Sequence, residues 1–197
     1  MENKGSAMKP IPVENKGWNY LDSCSCDTEF IEYLETFPLD KVNSTTIFHL
    51  GPGLHHKVGL WAATKSNVFV RALTITPEEV QEYIRLSTES PWLNSRYLVD
   101  FGDIHLMSHL LLPRFDFIAL FHLGEISTQV YDPEYPGVGI EDVLKNLSYR
   151  LSMGGEMLFF ERSVAWESIH GIVKLSLYNR YSYKMSNFKN LAIYRKE

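Results

Sequence analysis

A chain of 197 residues, 45% hydrophobic and 22% charged, can bury a real core and is most simply one compact domain. Its net charge of −5 gives no electrostatic footprint for a phosphate backbone or an anionic lipid surface, which argues against nucleic acid and membrane as main partners. The two cysteines, Cys24 and Cys26, are separated by one residue, poor spacing for a mutual disulfide and half of a four-thiolate zinc set, so they read as cytosolic thiols.

Residues 1–17 are polar and rich in Lys, Asn, Gly and Pro, and the expected division is a tail at 1–17 followed by one domain at 18–197. No stretch has signal-peptide or membrane-spanning apolar length, so a soluble, cytoplasmic protein is expected. Apolar residues recur at helical spacing over 28–37, with Asp27 or Thr28 able to cap and Pro38 closing the segment. A short apolar run, Ile47, Phe48 and Leu50, then stops at Gly51-Pro52-Gly53, and a helix is predicted over 55–65. Strand, glycine bend and helix make the outline of a nucleotide crevice, because backbone without Cβ can approach a ligand closely. An ordinary strand-to-helix turn would look the same.

Residues 67–75 are rich in β-branched and aromatic side chains and predict a second strand. Thr76-Pro77-Glu78-Glu79 then supplies a cap residue, proline at the first helical position and acids in the first turn. A third strand is predicted over 97–101, a helix over 105–112, and a buried central strand over 115–123, which is almost continuously apolar. A polar, Pro- and Gly-containing connection leads to a helix over 140–151, a turn at Met153-Gly154-Gly155 and a strand over 156–161. The remainder, 172–178 and 181–194, reads as an antiparallel strand pair. Strands alternating with helices give an α/β, doubly wound, Rossmann-like and mostly parallel sheet with helices on both faces and that pair at its edge.

In the order of these parts, IFHLGPG, ALTITPEE, VDFGDI, FDFIALFHL and LSMGGEMLFFE, residues 27–196 resemble the class I S-adenosylmethionine-dependent methyltransferases. The resemblance implies that Gly51 and Gly53 border the methionine part of the cofactor, that Thr74 lies near the ribose, and that Asp103 and Ile104 frame the adenine. His49 stands where the family has an acid in strand one, His55 takes the third place of the glycine signature, and Thr74 replaces the acid after strand two. A threonine hydroxyl makes only part of the bidentate contact of a carboxylate with two ribose hydroxyls. Asp103 has an independent rationale, since a carboxylate at a strand end accepts from an exocyclic amine, but it would equally cap a following helix.

Six histidines, His49, His55, His56, His105, His109 and His122, fall at or beyond the ends of strands one, three and four, where open α/β sheets bind ligands. His105 and His109 would share one face of a helix at metal-ligand spacing, with Asp103 and Glu125 as available carboxylates. Each is otherwise an ordinary hydrogen-bonded residue, and no metal is assigned. For methyl transfer the candidate catalytic residues are His122, an imidazole that titrates near neutrality, and Glu125. Tyr131 and Tyr135 would line a small acceptor or anchor their loop, and Trp18 and Tyr20 would fold over the crevice or staple the tail. The expected substrate is a small molecule or carrier-bound metabolite, with a homodimer or a partner protein possible. Two other readings share the fold: an inactive binding or scaffold protein, and a metal-dependent enzyme using the histidine-rich crevice.

Overall fold

The computed structural model of the chain describes residues 25–39, 42–125, 136–179 and 183–197, the side chains of Tyr178 and Asn179 excepted. The tail at 1–17, Trp18, Tyr20, Cys24, Tyr131 and Tyr135 lie outside the described residues. The sheet is built around β1 (Thr45–Leu50) and has seven strands, with β2 (Val68–Thr74), β3 (Tyr97–Phe101), β4 (Phe115–Ala119), β5 (Leu151–Phe160), β6 (Tyr183–Phe188) and β7 (Leu191–Lys196) in the order β3-β2-β1-β4-β5-β7-β6. β1 pairs in parallel with β2 on one side and β4 on the other, and β7 runs antiparallel to both β5 and β6. The order reverses between β1 and β4. Beyond their carboxyl ends lies the crevice of a doubly wound sheet.

Both faces are packed. On one, Phe30 and Leu34 of α1 (Cys26–Leu34) and Val58 and Ala62 of α2 (Lys57–Ala63) close over Ile47, Val70 and Phe117, all within one buried cluster that α3 (Pro77–Glu89) borders through Tyr83 and Leu86. On the other, Val143, Leu144 and Leu147 of α4 (Ile140–Ser148) and Ile169 and Val173 of α5 (Trp166–Lys174) cover Phe48, Ile118 and Met157. Each such large side chain contributes about 1.5–3 kcal/mol by leaving water. Among the described residues no helix is long and apolar enough to cross a membrane.

Four predicted elements are corrected. No α-helix forms over 105–112; there is a turn and then a short 3-10 segment, His109–Leu111. The carbonyl of His105 accepts the amide of Val138 at 2.9 Å, so it is not left for the amide four residues on that a helix would need. Residues 172–178 are not a strand but continue α5 into a π turn, Leu175–Asn179, with Trp166, Ile169, Val173 and Leu177 packing at helical spacing; the antiparallel pair is β6 and β7. β4 stops at Ala119, and residues 121–125 leave the sheet as a turn, which carries His122 to the rim. The two glycines predicted as a turn sit inside β5, beside the register shift between Phe115 and Phe117, where a Cβ on Gly155 would lie 2.8 Å from the carbonyl oxygen of Asp116.

Candidate active site at the rim of β1 and β4

The ladder between β1 and β2 runs one bond past the strand, from the amide of Gly51 to the carbonyl of Leu73 at 2.9 Å, and then the chain turns away. Gly51 at φ +74° and Gly53 at +63° make that turn in left-handed backbone, which glycine adopts without steric cost. Among the described residues, a Cβ on Gly51 would meet the His122 ring, at 4.0 Å, so the bend faces that imidazole.

His49, the last residue but one of β1, is buried and points under α1, where its Nε2 lies 3.1 Å from Oδ1 of Asp27 without the alignment of a hydrogen bond. A carboxylate of α1 therefore lies beside the strand position where the resemblance implies an acid. His55 lies on the other oxygen, with Nδ1 3.6 Å from Oδ2, and that same nitrogen accepts the amide of Lys57 at 3.2 Å. Burial opposes ionisation of Asp27, but the charge of His49, aided by His55 and His122, holds its carboxyl below the usual value. Oδ2 of Asp27 and both ring nitrogens of His49 are buried without a hydrogen-bond partner among the described residues. Buried polar atoms are as a rule hydrogen-bonded, so these three are exceptions among the described residues.

His56 behaves differently. It takes left-handed backbone at φ 44° as the residue before α2, and its fully buried ring donates from Nε2 to the carbonyl of Glu79 at 2.9 Å and accepts at Nδ1 from the Tyr97 hydroxyl at 2.7 Å. Burial lowers its pKa to about 4, so the ring is neutral. It bolts α2 and α3 to β3.

On the β4 side, His122 and Glu125 are brought together as the sequence suggested. His122 Nδ1 lies 3.1 Å from Oε2 of Glu125, whose other oxygen accepts from the Ser163 hydroxyl at 2.7 Å and the Val164 amide at 3.3 Å. Burial pushes against ionisation of Glu125, yet the bond and charge of His122, with Ser163 and Val164, keep its carboxyl below the ordinary value. The other nitrogen, Nε2, faces Sγ of Cys26 at 3.7 Å.

Thr74 ends β2, buried, and its Oγ1 accepts the amide of Thr76 at 3.0 Å. Thr76 makes no side-chain cap on α3, so Thr74 stabilises that turn in its place. Asp103 follows β3 and accepts the amide of His105 at 2.8 Å on Oδ1, an Asx turn that holds the carboxylate at the rim. Ile104 packs inward, against the core beneath α4. His105 donates from Nδ1 to the carbonyl of Val138 at 2.7 Å, and His109 lies over Tyr149 with ring centroids 5.7 Å apart, so the two do not converge. Among the described residues no group of three His, Cys, Asp or Glu is arranged to hold a metal ion.

No family model and no curated sequence matches this chain. Solved structures do. The precorrin-6y C5,15-methyltransferase of Geobacter metallireducens GS-15 superposes over 92% of this chain and 95% of its own, with a TM-score of 0.60 at 11% identity. An O-methyltransferase family protein of Burkholderia thailandensis gives 0.57 over 87% of this chain and 55% of its own, at 8% identity. The chain has the class I methyltransferase fold. A third neighbour, described as precorrin 8w decarboxylase from Methanobacterium thermoautotrophicum, gives 0.55 over 84% of this chain and 88% of its own at 12% identity, and its name shows that the fold alone does not set the reaction.

Sequence reasoning missed Cys26, Asp27 and Ser163. From sequence Asp27 reads only as a helix cap, and the hint of its contact is His49, at the place in β1 where the resemblance implies an acid. Ser163 had no local signal, since it reaches Glu125 across 38 residues of chain.

Proposed function

We propose that this chain is an S-adenosylmethionine-dependent methyltransferase acting on a small-molecule or carrier-bound metabolite, in the cytoplasm, as a monomer or with a second copy or partner protein. The observation that carries the reading is the left-handed bend at Gly51 and Gly53 on the β1/β4 switch point, with Asp103 held by its own turn at the end of β3 on the same rim. The residues fit the cofactor: Gly51 and Gly53 leave the backbone approachable, the orphaned oxygen of Asp27 beside His49 supplies the acid missing from β1, and Asp103 offers an acceptor to an exocyclic amine. Thr74 would meet the ribose with its hydroxyl, and Ile104 would border the ring through its backbone. When bound, the cofactor supplies an electrophilic methyl on a sulfonium.

The protein's part is then positioning and proton removal. An ionised Glu125 only accepts hydrogen bonds, so Nδ1 of His122 carries the proton and Nε2 is left as the base toward an acceptor hydroxyl, amine or carbon acid. The negative balance of the chain favours a small acceptor over nucleic acid. Isothermal titration with S-adenosylhomocysteine tests the reading. Saturable binding that weakens at least tenfold in Asp103→Ala is expected, and no heat at millimolar ligand would overturn it.

A further inference from the structure

Methyl transfer leaves one group of the rim without a task, the thiol of Cys26. It is the first residue of α1, a nine-residue helix, and Sγ lies 3.7 Å from Nε2 of His122. From there the contacts run in one direction: His122 Nδ1 to Glu125 at 3.1 Å, and Glu125 to the Ser163 hydroxyl at 2.7 Å. Thiol, imidazole, carboxylate and a hydroxyl that fixes the carboxylate are the parts of an activated nucleophile, here with Cys26 5% exposed and its thiol also donating to Oδ1 of Asp27. The tautomer agrees. A carboxylate on Nδ1 requires a proton there, which leaves Nε2, the nitrogen facing Sγ, as the acceptor of the thiol proton. The first turn of a helix favours a thiolate, while the Asp27 carboxylate, with Oδ1 3.8 Å from Sγ, opposes it; that oxygen is also 3.1 Å from His49, which offsets its charge. His55 and His122 also act on Asp27, and Lys57, the first residue of α2, bonds the Thr28 hydroxyl through Nζ at 2.6 Å.

We propose that Cys26 is a nucleophile, with His122 as its base and Glu125 as the residue that positions the imidazole, and that it accepts an acyl group from a thioester. The Sγ–carbon bond forms as the carbon–sulfur bond of the thioester breaks, and the thiol proton passes through Nε2 of His122 to the departing sulfur. Nucleophile and leaving group are both thiols, so the exchange needs no co-reactant, and the reacting carbonyl is uncharged, in keeping with a chain that has no basic run. The same imidazole serves this reaction and the proposed methyl transfer, but the thiol belongs to this one alone.

The test is incubation of the full chain with S-hexanoyl-N-acetylcysteamine, followed by intact-mass and peptide mass spectrometry. One hexanoyl group on Cys26, released by hydroxylamine and absent from Cys26→Ala, is expected. The rate should fall 100-fold or more in His122→Asn and about tenfold in Glu125→Gln. The pH midpoint of acylation should lie below that of an ordinary thiol, near 8.5, and rise toward it in both variants, a change that a merely structural role would not produce. Should Cys26→Ala fail to fold, the mapped site and the pH profile of the unsubstituted chain decide alone. No adduct, an adduct on Cys24, or a rate unchanged in His122→Asn overturns the proposal. Titration of the same samples with S-adenosylhomocysteine separates the two readings, since binding without acylation sinks only this one and acylation without binding sinks only the methyltransferase.

Discussion

Two buried histidines stand on either side of the glycine bend, seven residues apart, and they are opposites. His56 has a partner for each ring nitrogen, the Tyr97 hydroxyl and the Glu79 carbonyl, and burial keeps it neutral. His49 is as deeply buried, yet among the described residues neither nitrogen makes an aligned hydrogen bond, and one oxygen of the carboxylate beside it likewise has no hydrogen-bond partner. A fold optimised only for stability would have paired both, because an unmet buried polar group costs about 1–3 kcal/mol. The contrast is physical: His56 holds α2 and α3 to β3 through both ring nitrogens, whereas His49 at the carboxyl end of β1 makes no such bond among the described residues.

The strongest way to break this contrast is to truncate the bolt. His56→Ala should destabilise the chain by about 3–4 kcal/mol, combining a cavity with a stranded Tyr97 hydroxyl, as read from the midpoint of urea unfolding. A cost under about 1 kcal/mol would mean that the two bonds carry little. Acid should loosen the same bolt. In the unfolded chain His56 takes up its proton near pH 6.5, but in the fold not until about pH 4, so the unfolded state holds the extra proton between these values. Stability is therefore full above about pH 7 and falls on acidification through that window by on the order of 3 kcal/mol. Asp27 and Glu125, held below their usual values, lose their contributions only at lower pH as they protonate. Unfolding free energies at pH 7.5, 5.5 and 4.5 check this, and His56→Gln should flatten the upper part of the curve while leaving the lower part.

What the sequence made legible follows from the range over which each signal acts. Hydrophobic runs gave β1, β2 and β4, and Thr76-Pro77-Glu78-Glu79 gave the start of α3, because these are settled within a few residues. Residues 172–178 read as a strand because Ile172, Val173 and Leu175 lie close together, although Trp166, Ile169 and Val173 have helical spacing. The missing helix at 105–112 was invisible because it depends on Val138, 33 residues away. In the site, His122 and Glu125 were readable as neighbours at i and i+3. The Asp27–His49 pair was not, because a helix lends the strand its acid from 22 residues upstream.

A smaller effect on the fold is expected at the bend itself. Gly51→Ala puts a side chain at φ +74° and costs about 1–2 kcal/mol of stability, with the new methyl beside His122. Its affinity for S-adenosylhomocysteine should fall by more than the stability loss accounts for, because a correctly folded variant would still have a narrowed crevice. Equal affinity in calorimetry would place the nucleoside elsewhere.

The smallest stability change, and the most telling, belongs to the incomplete pair. Removing only Asp27 or only His49 leaves a buried polar group facing nothing, but replacing both, Asp27→Leu with His49→Leu, removes the desolvation cost together with the attraction. Neighbouring Phe121, with its ring centroid 5.7 Å from that of His49, offers an apolar wall for the new side chains. The double variant should stay within about 1 kcal/mol of the unsubstituted chain or exceed it in thermal or urea unfolding. If the pair exists for a ligand, the same protein should lose S-adenosylhomocysteine binding at least tenfold. A double variant that unfolds easily would make His49 and Asp27 a second bolt, and one that is stable and binds normally would remove both from the site.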